Sequence, residues 1–130
     1  METIRQTVVV DCPAHAIYEA FMNQTQHAEL TGAPALIENR IGGLYAAYNE
    51  DLVGEFTKLV PDELIVLLWR SEMPTWPEDH FAVISLELSQ SYDGTTIEFT
   101  ASDVPEQCAD AIIEGWQDMY WEPLQRKFSW

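Results

Sequence analysis

The spacing of apolar residues along the chain changes character three times. A β-branched run, TIRQTVVV at residues 3–10, predicts a first strand. Ala14, Ile17, Tyr18 and Phe21 then fall at i, i+3, i+4 and i+7, one face of a helix. Pro13 suits that helix's first turn, where its missing N–H costs nothing, with Asp11 or Cys12 as the cap. A short second helix over residues 26–30 stops at Thr-Gly-Ala-Pro. From Ala35 the chain turns to strands. ALIEN and IGGLYAAYN read as two short ones, and LVGEFTKLV with ELIVLLWR reads as a hairpin around Pro61-Asp62. After the loop EMPTWPED, HFAVISLELSQ and GTTIEFTASDV form a second hairpin around Asp93-Gly94.

Past Pro105 the helical period returns and holds nearly to the end. Ala109, Ile112, Ile113, Trp116, Met119, Tyr120, Pro123 and Leu124 make one stripe, with Asp110, Glu114, Asp118, Glu122 and Gln125 opposite. Pro123 cannot donate to the Met119 carbonyl, which predicts a kink. The order of strand, two helices, antiparallel strands and one long helix predicts an α+β fold. Its twisted sheet has one apolar face, and the long helix covers it. A gap left between sheet and helix would be a pocket.

The inward faces name the walls of such a pocket: Phe21, Tyr45, Phe56, Trp69, Ile84, Phe99, Trp116 and Tyr120, with His80 at the mouth. The same rings also read as ordinary core, and His80 as a cap on the proline-rich loop. Trp121 falls off the stripe, which suits either a partner contact or packing on the sheet edge. Val66 and Leu68 point outward, as a homodimer contact or as scattered surface apolars.

Chemistry adds little to this picture. There is no G-x-S-x-G, no phosphate-cradling glycine loop and no cysteine with a local base, so no catalytic residue is assigned. Glu55 and Glu98 sit beside better inward candidates, Phe56, Ile97 and Phe99. His15 and His27 lie on predicted helices away from His80, without metal-ligand spacing, so no metal or cofactor is expected.

The 130 residues fit a single domain spanning 1–130. Six basic residues face 22 acids, a net charge of −16. That charge repels phosphate backbones and anionic lipid, so nucleic acid and membrane are poor partners and a basic protein surface is a better one. Cys12 and Cys108 are far apart and read as free thiols. The first residues carry no apolar signal segment and no apolar run nears ~20 residues, which points to the cytoplasm.

Four stretches carry a resemblance: VGEFTKLVPDELIVLLWR, WPEDHFAVISLEL, DGTTIEFTASDVPE and EGWQDMYWEPLQ. Together they resemble the activator of heat-shock protein 90 ATPase homologue family, in its C-terminal-type domain. That domain is of the START-like, or helix-grip, superfamily. The front, CPAHAIYEAF, departs from the family pattern in its cap residue and lacks the usual acid pair. The resemblance implies seven strands gripping the C-terminal helix. It also implies that activating members carry an additional N-terminal domain for the stimulating contacts, whereas this chain begins at the C-terminal-type domain. Three functions stand as expectations: non-catalytic binding of a small hydrophobic molecule in stress response, co-chaperone-like contact with the 90-kDa heat-shock chaperone, and a cyclase- or hydrolase-like enzyme.

Overall fold

A computed structural model describes residues 1–128. Trp130, in the aromatic-rich C-terminal end, lies outside the described residues. The first strand β1 (Glu2–Val10) leads to helices α1 (Ala14–Met22) and α2 (Gln24–Thr31). Six strands follow: β2 (Leu36–Ile37), β3 (Leu44–Ala47), β4 (Leu52–Val60), β5 (Leu64–Ser71), β6 (Ala82–Ser91) and β7 (Gly94–Val104). Together with β1 they form one seven-stranded antiparallel sheet in the order β1-β7-β6-β5-β4-β3-β2. This is the helix-grip fold, with the C-terminal helical segment packed on the sheet's inner face.

The caps differ from the sequence expectation. The α1 cap position is Pro13 itself, without a side-chain cap, rather than Asp11 or Cys12. Instead Gln90 Oε1, at the far end of β6, accepts from the Ala14 N–H at 2.8 Å. A first-turn N–H needs an acceptor from somewhere, and here it comes from the sheet. The second helix starts earlier than expected, because Asn23 caps it by accepting from Gln26 N–H at 3.0 Å. Gly32, at φ 77°, closes it in the left-handed conformation.

The long helix is not α-helical throughout. It comprises a short 3₁₀ turn (Glu106–Cys108), α3 (Ala109–Trp116), a π turn (Gln117–Trp121) and α4 (Glu122–Lys127). Pro123 has no N–H to give the Met119 carbonyl. The backbone responds one residue earlier, where Glu122 N–H reaches back five residues to the Gln117 carbonyl. One extra residue in that turn rotates Trp121 inward beside Tyr120, and both are buried. Trp121 is therefore not a half-exposed partner contact. It packs edge-on against Phe99, with ring centres 5.4 Å apart, and its indole donates to Gln6 Oε1 of β1 at 2.8 Å. Ile113, placed on the buried stripe by period, is exposed on its flank.

Gly54 lies in β4 between two strands that carry site residues. It pairs with Tyr45 on one side and Trp69 on the other. A Cβ at this position would run into the Leu68 carbonyl oxygen. With no side chain between them, the two rings on the flanking strands meet, and Trp69 Nε1 reaches the Tyr45 hydroxyl at 3.4 Å. Gly54→Ala should cost at least about 1–3 kcal/mol, since the obstruction is backbone and cannot swing away. Urea unfolding measures this; an unchanged midpoint would show that the strands separate freely there.

Val66 and Leu68 lie on the outer sheet face, half-buried. No helix among the described residues is long and apolar enough to cross a membrane. Cys12 and Cys108 are free.

Candidate functional site

Eight of the nine sequence-selected residues meet in one core: Phe21, Tyr45, Phe56, Trp69, Ile84, Phe99, Trp116 and Tyr120 are all buried. They close on each other rather than around a large space. Trp116 stacks on Tyr120 at 4.3 Å between ring centres and lies 4.6 Å from Phe99. Tyr120 in turn stacks on Phe21 at 5.2 Å, and Tyr45 meets Phe56 at 6.1 Å.

His80 stands apart from this core. It is half-buried on the loop before β6, and its Nε2 donates to the Asp103 carbonyl at 2.6 Å. Its own carbonyl accepts from the Trp76 indole at 2.8 Å. His80 thus straps the proline-rich loop to β7, the structural reading of its position. The strap also holds Trp76, which packs on Trp69 at 5.6 Å and belongs to the buried core.

The polar atoms of the core form a relay that joins the sheet to the helices. His27 is fully buried on α2. Its Nδ1 lies 2.9 Å from the Phe21 carbonyl, and its Nε2 lies 2.8 Å from the Tyr120 hydroxyl. The Tyr120 and Tyr45 hydroxyls are 2.7 Å apart, and Trp69 donates to Tyr45. The direction of every proton follows from chemistry. A carbonyl only accepts, so Nδ1 carries the imidazole proton and neutral Nε2 accepts from Tyr120. Tyr120 oxygen then accepts from Tyr45, and Tyr45 oxygen from the Trp69 indole. Burial lowers the His27 pKa, pushes Tyr45 up to about 12 and raises Tyr120 well above its ordinary value. All three groups stay uncharged near neutrality. The relay is thus a fixed neutral strut, and nothing in it offers a charged acid or base.

His27 was invisible as a core residue in the sequence. Its helix QTQHAELT is polar on most sides, and only the spacing of three to buried Leu30 places His27 inward.

One donor escapes the network. The Trp116 indole N–H is buried and has no hydrogen-bond partner among the described residues. Such an unpaired donor costs about 1–3 kcal/mol. Trp116 also lines a cavity of about 220 Å³ at one end of the sheet–helix junction. Leu52, Trp69 and Met73 bound it on the sheet side, and Ile112, Gly115 and Met119 on the helix side. Of the nine selected residues, Trp69 and Trp116 are the two on its wall. Tyr48 and Asp51 stand at the β3–β4 turn that flanks it. That turn is strained: Tyr48, Asn49 and Glu50 have φ of 53°, 59° and 69° in succession. The left-handed region costs a non-glycine residue roughly 1–2 kcal/mol, and three in a row is rare outside functional or tightly constrained segments.

A family model described as Activator of Hsp90 ATPase homolog 1-like protein matches residues 11–128. The human protein Activator of 90 kDa heat shock protein ATPase homolog 1 is 30% identical over 128 residues, covering 98% of this chain and 37% of that protein. The chain thus spans little more than a third of the length of the curated relatives it matches first. Among solved structures, an HSP90 activator from Plasmodium falciparum superposes with a TM-score of 0.86 at 18% identity, covering 94% of this chain and 92% of that one. A Chromobacterium violaceum protein superposes with a TM-score of 0.78 at 21% identity, covering 98% of both. At these identities the structural likeness is one of fold.

Proposed function

The chain belongs to the Activator of Hsp90 ATPase homolog 1-like family, and from that premise we propose that it is a binding domain that contacts a 90-kDa heat-shock chaperone. The observation that carries this reading is the match to the human activator, which runs through 98% of the chain. The surface supports it. Asp110, Glu114, Asp118 and Glu122 are exposed along the outer side of the C-terminal helical segment, within a chain of net charge −16. A basic partner face is the complement of such a surface.

Affinity for the purified chaperone, measured by calorimetry, tests the reading. Binding should weaken at least about tenfold between ~50 and ~300 mM salt, because exposed charges are screened over a few ångströms. Reversing Glu114 and Asp118 to lysine should weaken it at low salt. The 130 residues alone should not raise chaperone turnover, since the resemblance assigns the stimulating contacts to an additional domain. Absence of binding at ~50 mM salt would overturn the reading.

The cavity beside Trp116 favours a second reading, a small apolar ligand held between sheet and helix. Its volume, about 220 Å³, is below the ~300–1,000 Å³ of sites for drug-sized molecules. The ligand would be correspondingly small.

A further inference from the structure

We infer that the outer face of the sheet docks a second copy of this chain, in a two-fold dimer that pairs Glu55 of each copy with Lys58 of the other.

The register of the strands sets the outer side chains in rows. One row runs Leu44, Glu55, Leu68, Val83 and Ser102 across β3 to β7. The next runs Lys58, Val66, Ser85, Thr100 and Arg5 across β4 to β7 and on to β1. Val66, Leu68 and Val83 at the centre are half-buried, and Leu44 at the edge is 50% exposed. Lys58 belongs to this face because of a bulge. Phe56 pairs with Leu67 and Lys58 with Val66, so Thr57 is the extra residue. Lys58 thereby turns outward, and Leu59 takes the inward phase against the core.

Charge names the occupant. A chain of net charge −16 repels its own copies over most of its surface. Yet three of its six basic residues, Arg5, Lys58 and Arg70, lie on this one face, interspersed with Glu55, Glu87 and Glu98. A second copy meets least repulsion here, whereas a basic foreign partner is drawn to the acidic helical side. The pattern is also self-complementary. A two-fold axis lying across the strands, between the two rows, exchanges one row with the other. Leu68 then meets the partner's Val66, Val83 meets the partner's Ser85, and Glu55 meets the partner's Lys58, each twice. The strands of the two sheets run nearly aligned, as in a sandwich. Within one chain neither Glu55 nor Lys58 makes an ion pair among the described residues, so both are free for a partner.

Size is adequate. With the rows of Arg70 and Glu87 on either side, four rows over five strands cover about 650 Å² of flat sheet, at ~4.8 Å between strands and ~6.8 Å between rows. A standard interface takes ~800 Å² of accessible surface from each partner, and side chains roughen the flat area toward that value. The C-terminal helical segment packs on the opposite side of the sheet. The dimer therefore leaves two acidic helical faces pointing apart, and it stands or falls independently of the chaperone contact.

Sedimentation velocity of the full chain tests this at about 100 μM and ~150 mM salt, where repulsion is screened beyond ~8 Å. The wild type should be a dimer. Glu55→Lys and Lys58→Glu should each weaken it at least about tenfold, because symmetry repeats the repulsive pair. Both positions are exposed, so the melting temperature should hold. Mixed in equal amounts, the two variants should re-form a dimer, since every facing pair is again opposite in sign. A monomeric wild type would overturn the inference, and if its chaperone affinity changed with Lys58→Glu the face would belong to the chaperone. Single variants that dimerise like the wild type would place the contact elsewhere. Failure of the mixture to associate would overturn the pairing of Glu55 with Lys58.

Discussion

A chain ending before Glu114 will not melt cooperatively. The segment removed carries Trp116, Tyr120, Trp121 and Leu124, each at most 2% exposed. Full burial of one large apolar side chain stabilises by about 1.5–3 kcal/mol, so four supply about 6–12, against the ~5–15 that holds a typical domain together. The loss goes beyond area. Trp116 and Trp121 both pack on Phe99, and Tyr120 takes the hydroxyl proton of Tyr45. Without them the inner sheet face presents Trp69 and Phe99 to water, and Tyr45 and His27 lose a partner. Circular dichroism during heating would show a broad, sloping change in place of a sigmoid. A truncated chain with a sharp transition would mean that α1, α2 and the sheet form a core of their own, and that the C-terminal segment is an appendage. A point substitution gives the graded version of the test. Trp121→Ala should cost about 3–5 kcal/mol, because it also leaves the Gln6 side chain without its donor.

The elements that could be read from the sequence are those where one pattern dominates. Both hairpins, the period of α1 and the burial of Trp69 and Trp116 follow from alternation or a 3.6-residue stripe. So does the gathering of the eight rings and aliphatic side chains, since each lies on an inward face of its own element. Where two patterns compete, the sequence misleads. On an ideal helix Trp121 falls off the apolar stripe. Pro123 changes the turn before it, and a π turn moves Trp121 through roughly the angle that separates surface from core. His27 is hidden for a different reason. A neutral imidazole on a polar helix looks like surface until a tyrosine 93 residues away supplies its donor. Cavity size was illegible for a third reason. Apolar residues on facing elements fill a space or leave one depending on Gly54, whose missing Cβ lets Tyr45 and Trp69 close together. Residue types alone do not carry that geometry, so the open volume shrinks to the stretch between Trp69, Trp116 and the strained Tyr48–Glu50 turn.

Acidification will loosen this domain through His27, and His27→Leu will remove that part of the pH dependence. Burial lowers the His27 pKa below its ordinary value of about 6.5. The unfolded chain therefore takes up the proton first. The stabilising contribution of neutral His27 is complete above about 6.5 and is lost as pH falls from there through the folded-state value. The relay explains why the protonated form is unwelcome. A proton on Nε2 would face the Tyr120 hydroxyl and force Tyr120 to donate toward Tyr45, which leaves the buried Tyr45 O–H without an acceptor among the described residues. His15 works in the opposite sense, because its hydrogen bond to Asp62 raises its pKa. The comparison is therefore best made in a His15→Gln background. Urea unfolding at about pH 7.5 and about pH 5.5 should show a clear loss of stability with His27 present and a much smaller one with leucine there. At the higher pH, His27→Leu should itself cost about 1–3 kcal/mol, since the Tyr120 hydroxyl loses its acceptor. Adding Tyr120→Phe to His27→Leu should then cost less than Tyr120→Phe does alone, because the two polar groups satisfy each other. Equal pH slopes with histidine and leucine at position 27 would mean that His27 takes up its proton as readily in the folded chain as in the unfolded one, and the neutral strut would be wrong.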